Sequence, residues 1–216
     1  MAQSQSVPQA DQEQRVEPVV SLIANPLPLG LGALAFTTAI IGCIYAGFIL
    51  PSSLPSSLSL VVGAALFYGG IVQILAGMWG FRKGYTATAT LFSSYGGFLL
   101  AFGVIFIPGF GIFNALKSAS VLHPALGLFF LCWTIFTGIL FIGSLRTNAA
   151  LLLTLALLFL AYLLLTIGQL VSANSVLLAI GGWLGIVTAL VGWYTALASM
   201  VNSANWTYRM PMGRIG

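Results

Sequence analysis

Residues 149–171 read AALLLTLALLFLAYLLLTIGQLV, an unbroken apolar run without a single charged side chain. At 1.5 Å per residue, a helix of that length crosses the roughly 30 Å hydrocarbon core of a bilayer. The run is continuous and does not alternate, so it specifies a helix and not a barrel strand. Five further stretches of the same kind surround it, at about 29–50, 58–81, 86–107, 125–145 and 176–201. Pro51 and Pro55, Arg82-Lys83-Gly84, Pro108-Gly109, Arg146-Thr-Asn148 and Ser172-Ala-Asn174-Ser punctuate them, and Pro124 is placed for a first helical turn. The expected fold is an all-α integral membrane protein, a bundle of six transmembrane helices.

Composition narrows the function classes. Hydrophobic residues form 59% of the 216-residue chain and Asp, Glu, Lys and Arg only 5%, against roughly 25% charged in soluble domains. Six spans and their loops leave no soluble catalytic domain. Residues 1–24 carry Asp11, Glu13, Arg15 and Glu17 but lack the basic start and cleavage site of a signal peptide. They are expected to form a disordered tail, with 25–201 as the membrane domain and 202–216 as a second short tail. Cys43 and Cys132 both fall mid-span, where they suit apolar packing and not a disulfide or zinc site. No Walker loop, HExxH, nucleophile elbow or dinucleotide fingerprint is present, so no enzyme, metal or cofactor is expected.

Basic residues set the orientation. With six spans, Arg15, Arg82, Lys83, Arg146, Arg209 and Arg214 share a side with both termini, and Lys117 alone faces the other. The positive-inside rule then makes both termini cytoplasmic. The net charge of +4 is an orientation signal and a contact for anionic lipid, not a nucleic-acid signature. After Glu17 the chain has no acidic residue. Intramembrane carboxylates are common cation sites and proton relays, so a path through this protein suits an anion or a neutral molecule.

A few polar residues interrupt the spans. Gln73 lies midway along the second, where an unpaired amide is costly; it bonds a neighbouring helix or faces a solute. Tyr95 lies mid-span beside Ser93 and Ser94 with a hydroxyl that needs a partner. Thr37 and Thr38 lie deep in the first span, where threonine can bond its own backbone. Thr86, Thr90, Ser94 and Gly97 recur at helical spacing, a small stripe that either packs on a helix or lines a path. His123, the sole histidine, is expected in an exposed or interfacial loop, with proton sensing as the alternative. Gly181 and Gly185 have the GxxxG spacing of close helix pairs, and Trp79, Trp206 and Tyr208 lie near span ends, as interfacial aromatics do.

Asn25-Pro26-Leu-Pro28-Leu-Gly30-Leu31, just ahead of the first span, closely resembles the NPxPLGL signature of the acetate uptake transporter family, which includes bacterial succinate–acetate permeases and fungal acetate permeases. The likeness continues through Phe67-Tyr-Gly-Gly-Ile-Val-Gln73-Ile-Leu-Ala-Gly77-Met-Trp, Arg82-Lys-Gly84, Phe92-Ser-Ser-Tyr95-Gly-Gly-Phe98 and Gly182-Trp-Leu-Gly185, covering about residues 25–200. It implies a six-helix protomer, a homo-hexamer with one acetate path per protomer, and a hydrophobic gate at Leu34, Tyr95 and Leu158. Three departures stand out: Leu34 where the family's gate often has phenylalanine, Gly80 where many members carry glutamate, and Tyr85 in place of a frequent asparagine.

The expected function is transmembrane uptake of acetate and related small monocarboxylates, succinate included, by proton-coupled symport or channel-like passage. Thr38, Gln73, Ser94 and Tyr95 would replace part of the carboxylate's water shell while the apolar ring passes the methyl group. The membrane would be the plasma membrane, the inner membrane in a bacterial host. The alternatives are a channel or exporter for ammonia or another small neutral solute, and a membrane scaffold or sensor that transports nothing.

Overall fold

The computed structural model describes residues 23–49, 55–204 and 207–213, so the expectations for the N-terminal tail, Arg15, the turn around Pro51, Trp206 and Arg214 lie outside the described residues. The first span, α1 (Leu27–Ala46), starts on the proline signature and ends on Gly47, whose φ of 65° places it in the left-handed region that glycine enters without strain. The second span differs from the single α-helix expected of it. It is built from α2 (Pro55–Gly63), a π-helical stretch over Ala64–Val72, and α3 (Gln73–Arg82). Gly69 and Gly70 lie within the π stretch. A Cβ on Gly69 would overlap Thr37 of the first span, and one on Gly70 would fall 2.6 Å from a methyl of Leu100. The absent side chains let the widened backbone press against both neighbours. The third span is α4 (Thr86–Ile105).

The loop expected after the third span is instead a 3-10 turn at Pro108–Phe110 followed by a short helix, α5 (Ile112–Ser118), which carries Lys117. The fourth span, α6, runs Leu122–Gly143 and takes in His123, so the histidine stands on a helix and not in a loop. Pro124 lies in its first turn, where a missing N–H costs nothing. Asn148 caps α7 (Ala149–Leu170) by accepting from the Leu151 N–H at 2.9 Å. Asn174 caps α8 (Ser175–Ser203) by accepting from Val176 and Leu177. The Asn residues that punctuate the sequence are thus helix starts.

Neighbouring spans in sequence are neighbours in space, and α8 packs on α1 to close the ring. That closure runs through glycine: a Cβ on Gly182 would lie 2.7 Å from the Gly42 carbonyl oxygen, and one on Gly42 would meet the backbone of Gly182 and Ile186. Gly185 joins this seam, whereas Gly181 faces Leu165 of α7. The Gly181/Gly185 pair is therefore split between two interfaces, and Gly182 presses on the backbone of Gly42 and Ala46. The α4–α6 seam is different in kind, because Phe98 and Phe102 of α4 meet Phe129, Phe130 and Trp133 of α6 and hold the helices apart.

The distribution of polarity is inverted relative to a soluble protein. Leu128, Ile135, Ile139, Ile142, Leu153 and Leu190 are exposed, while Thr37, Gln73, Thr137, Thr188 and Thr195 are buried. An apolar exterior is stable only in lipid. At the end bearing Arg82, Arg146 and Arg209, the chain after α8 folds back: Gly213 and Met212 carbonyls accept from the Ala149 and Ala150 N–H groups, and Asn202 and Met210 exchange two hydrogen bonds of 2.9 Å. The bonds from Ala149 and Ala150 satisfy helix-start donors of α7 that would otherwise lack partners.

Candidate functional site

The signature residues prove to be scaffolding. The Asn25 side chain accepts from the Leu27 N–H at 3.1 Å and donates to Ser199 Oγ at 3.0 Å, tying the start of α1 to the end of α8. Pro26 and Pro28 open the helix. Gly30 leaves space that the ring of Phe92 occupies, since any Cβ there would overlap that ring. The motif thereby fixes where α1 enters the bundle and how closely α4 approaches it, which sets the depth of the next residues along α1.

Those residues reach the middle of the ring. Leu34, Tyr95 and Leu158 are at most 2% exposed and belong to one hydrophobic cluster, each within about a turn of the centre of its span. Their burial closes the bundle at this level, and Leu158 also borders a small cavity. Tyr95 is held on several sides. Its ring stacks on Trp133 at 5.9 Å and lies 6.4 Å from Tyr162, and its hydroxyl is 2.6 Å from Thr137 Oγ1. Thr137 gives its own proton to the Trp133 carbonyl at 2.6 Å, so Tyr95 is the donor of the pair. The partner that Tyr95 requires comes from α6, not from Ser93 or Ser94.

Beyond Leu158, toward the Lys117 end, a cavity of about 20 Å³ opens among α1, α7 and α8. Thr38, Tyr45, Leu158 and Tyr162 line it together with Gly181, Gly182 and Gly185, and its size suits about one water. Glycine along one wall is what leaves the space.

Most buried hydroxyls are satisfied on their own helices: Thr37, Thr134, Thr137, Thr154, Thr166, Thr188 and Thr195 each donate to the carbonyl four residues earlier. Gln73 is the contrast. It is fully buried at the junction of the π stretch and α3, and neither its amide nitrogen nor its oxygen has a partner among the described residues; Ser93 Oγ shares that state. Gln73 shares its helix face with Gly77 and Gly80, which lie against Ser93 and Ala89 of α4. An amide left unpaired near the middle of its span is a group with hydrogen-bonding capacity to spare, next to a π segment of the kind frequent at functional sites.

Ser94 is not brought to this interior. It is half-buried with Thr90, and Thr86 and Gly97 of the same stripe are exposed. A Cβ on Gly97 would meet nothing within 4 Å, so the hydroxyl stripe faces outward. Four residues that the sequence reading passed over belong to the interior instead: Tyr45, Thr137, Tyr162 and Gln169. Gln169 was detectable as the one amide in an otherwise apolar run. The inward direction of the others depends on helix rotation, which the uniformly apolar spans leave unmarked. Cys43 is half-buried and Cys132 is exposed on the outer surface of α6, and neither is paired.

Comparison with known proteins gives a family. Residues 10–215 match the GPR1/FUN34/yaaH family. Acetate permease A of Emericella nidulans is 38% identical over 88% of this chain, and Ammonia transport outward protein 2 of Saccharomyces cerevisiae 38% over 86%. The chain spans 65% and 64% of the length of these two fungal relatives, just under two thirds. The solved structure of the bacterial acetate channel SatP superposes with a TM-score of 0.73 at 29% identity, covering 88% of this chain and 99% of that one.

Proposed function

The chain belongs to the GPR1/FUN34/yaaH family, and from that premise we propose that it carries acetate and related small monocarboxylates across a membrane through a path inside each protomer. The observation that carries the reading is Gln73, an amide buried near the middle of its span with no partner among the described residues. A charge at mid-bilayer costs at least ~2.5–3.5 kcal/mol on insertion scales. The Gln73 NH2 offsets part of that for a carboxylate, and Leu34, Tyr95 and Leu158 accept its methyl group while excluding hydrated ions. Movement as acetic acid, or together with a proton, removes most of the remainder. Thr38 continues the path into the outer cavity. Ser94 keeps a place only at the edge of the path, because it is half-buried on the outward stripe.

The basic end, with Arg82, Lys83, Arg146 and Arg209, is assigned to the cytoplasm and the Lys117 end to the outside, in a plasma membrane or bacterial inner membrane. A homo-hexamer is part of the same reading. The outward face of α4 with its bare Gly97, and the exposed Phe36 and Phe67, are surfaces that neighbouring protomers would cover. The 65% span of the fungal relatives makes these statements about the described bundle.

The test is labelled acetate uptake into proteoliposomes with pH gradient and membrane potential clamped separately. Uphill uptake on an inward proton gradient establishes coupled transport, and purely downhill protein-dependent flux establishes a channel-like facilitator. Absence of flux from folded protein rejects the acetate reading and favours ammonia, the solute in the name of the yeast relative. If neither solute moves, the scaffold reading is left.

A further inference from the structure

Each residue from Met210 to Gly213 is hydrogen-bonded to the basic end of the bundle. The Met210 N–H and carbonyl bond the Asn202 side chain at 2.9 Å, and Tyr194 of α8 donates to the Pro211 carbonyl at 2.6 Å. The Met212 and Gly213 carbonyls accept from Ala150 and Ala149. Between this strap and the start of α7 lies a cavity of about 430 Å³, lined by Asn148, Asn202, Arg209, Met210, Met212 and Gly213. Sites for small molecules commonly occupy roughly 300–1,000 Å³.

The donors left over in this cavity identify its ligand. The first backbone N–H groups of α7 are already taken, by the strap carbonyls and by the Asn148 oxygen, and the Asn202 amide is used by Met210. The helix start is therefore not the binding group. What remains is the Arg209 guanidinium, which forms no hydrogen bond or ion pair among the described residues, and the Asn148 NH2, whose own oxygen alone is engaged. Arg209 directly precedes the doubly bonded Met210, so its backbone is held while its fork stays open. Arg146 is exposed and stands two residues before Asn148, within ~7 Å along the backbone. An arginine fork matches a phosphate bidentately. No acidic residue follows Glu17, so no carboxylate among the described residues competes for these cations or would receive the ammonium of a zwitterionic headgroup.

The surroundings set this cavity at the bilayer surface. Tyr208, beside Arg209, is exposed, and tyrosine favours the membrane interface. Leu153, one turn beyond Ala149 on the same face of α7, and Leu197, one turn beyond Tyr194 on α8, are exposed apolar side chains. Met210 and Met212 are half-buried and give the cavity an apolar wall. We propose that this cavity binds the phosphate of one anionic phospholipid per protomer. Arg209 and the Asn148 NH2 are its donors, and the glycerol portion of the lipid rests on Met210 and Met212. Anionic lipid is concentrated in the cytoplasmic leaflet, the side assigned to this end. The site stands apart from the transport reading, and no flux enters its test.

The unfolding midpoint of the detergent-solubilised full chain, read by tryptophan fluorescence, is followed against added ligand. The probes are dioctanoyl phosphatidylglycerol, dioctanoyl phosphatidylcholine and inorganic phosphate. At ten times its dissociation constant, phosphatidylglycerol should raise the midpoint by roughly 3–6 °C. Phosphatidylcholine and inorganic phosphate at the same concentration should leave it unmoved. Arg209→Gln should start from the same midpoint, because the guanidinium bonds nothing in the protomer, and should need at least about tenfold more phosphatidylglycerol for the same rise. Arg82→Gln removes a cation from the same end but not from the cavity, and should respond like the unsubstituted protein. Absence of a rise with phosphatidylglycerol, or equal rises with both lipids, overturns the proposal. An equal loss of response in Arg82→Gln also overturns it, by reducing the effect to diffuse attraction. A lowered starting midpoint in Arg209→Gln would mean that the guanidinium is bonded within the chain, which removes the site. A rise with inorganic phosphate that matches phosphatidylglycerol would assign the cavity to the free ion and overturn the lipid.

Discussion

Replacing Gln73 with methionine should make the resting protein more stable and the transporter slower. The side chain is fully buried and its two polar atoms have no partner among the described residues. A polar group buried in that state costs about 1–3 kcal/mol on mutational scales. Methionine is unbranched and adapts to irregular space, so it removes the cost without breaking a bond, less a repacking term usually under ~1.5 kcal/mol. The net gain is roughly 1–2 kcal/mol. At about 2–4 °C per kcal/mol for a chain of this length, the unfolding midpoint rises by roughly 2–8 °C. Tryptophan fluorescence in one detergent at one scan rate reads it, since irreversible unfolding makes midpoints scan-dependent. Flux moves the other way. A hydrogen bond to a charged group contributes about 1.5–3 kcal/mol, so acetate uptake falls roughly tenfold or more. A lowered midpoint would mean that the amide is bonded and that its apparent isolation is wrong. A raised midpoint with unchanged flux would reduce Gln73 to a packing residue.

Tyr95→Phe keeps the ring contacts and removes one hydrogen bond; Thr137 remains bonded to the Trp133 carbonyl, so the loss is about 0.5–1.5 kcal/mol in the same unfolding assay. Tyr95→Ala empties a ring-sized space, costs about 3–5 kcal/mol, and should admit larger carboxylates in competition against labelled acetate; unchanged selectivity removes Tyr95 from the gate. Gly182→Ala sets a methyl group against the backbone of Gly42 and Tyr45 and should destabilise by more than ~1–3 kcal/mol, whereas Gly97→Ala meets nothing in the protomer and should be neutral or stabilising by about 0.5–1 kcal/mol. A fall in oligomer size by light scattering for Gly97→Leu, with the protomer still folded, would support an interface on that face. Gly80→Glu should not restore a proton-handling group: a Cβ at Gly80 already lies 3.0 Å from Ala89 Cβ and 3.1 Å from its Cα, so the variant is expected to separate α3 from α4 and to lose thermal stability without gaining coupling.

The six spans and the sidedness of the basic residues were legible because lipid imposes them one segment at a time: a helix must be apolar along its length, and the arginines collect at one end. The likeness to the acetate uptake transporters was legible in the Asn25–Leu31 stretch, although what that stretch does, tying α1 to Ser199 and admitting Phe92, was not. Boundaries moved where short polar stretches hid local structure, as with α5 and with His123 on the first turn of α6.

Which faces point inward is another matter. In a soluble helix the apolar stripe marks the core, but here lipid-facing and buried positions are both leucine, phenylalanine or threonine. Ser94 and Tyr95 are adjacent in sequence, yet one lies on the outward stripe and the other at the centre of the ring. The amino-acid sequence alone determined that this chain spans a membrane six times and carries no fixed negative charge within it. Packing alone decided that Tyr95 bonds Thr137, that Gln73 is left without a partner among the described residues, and that Gln169 joins His123 to Tyr45. These are contacts between residues far apart in sequence, fixed by helix rotation and by glycine-permitted approach, and no single segment records either.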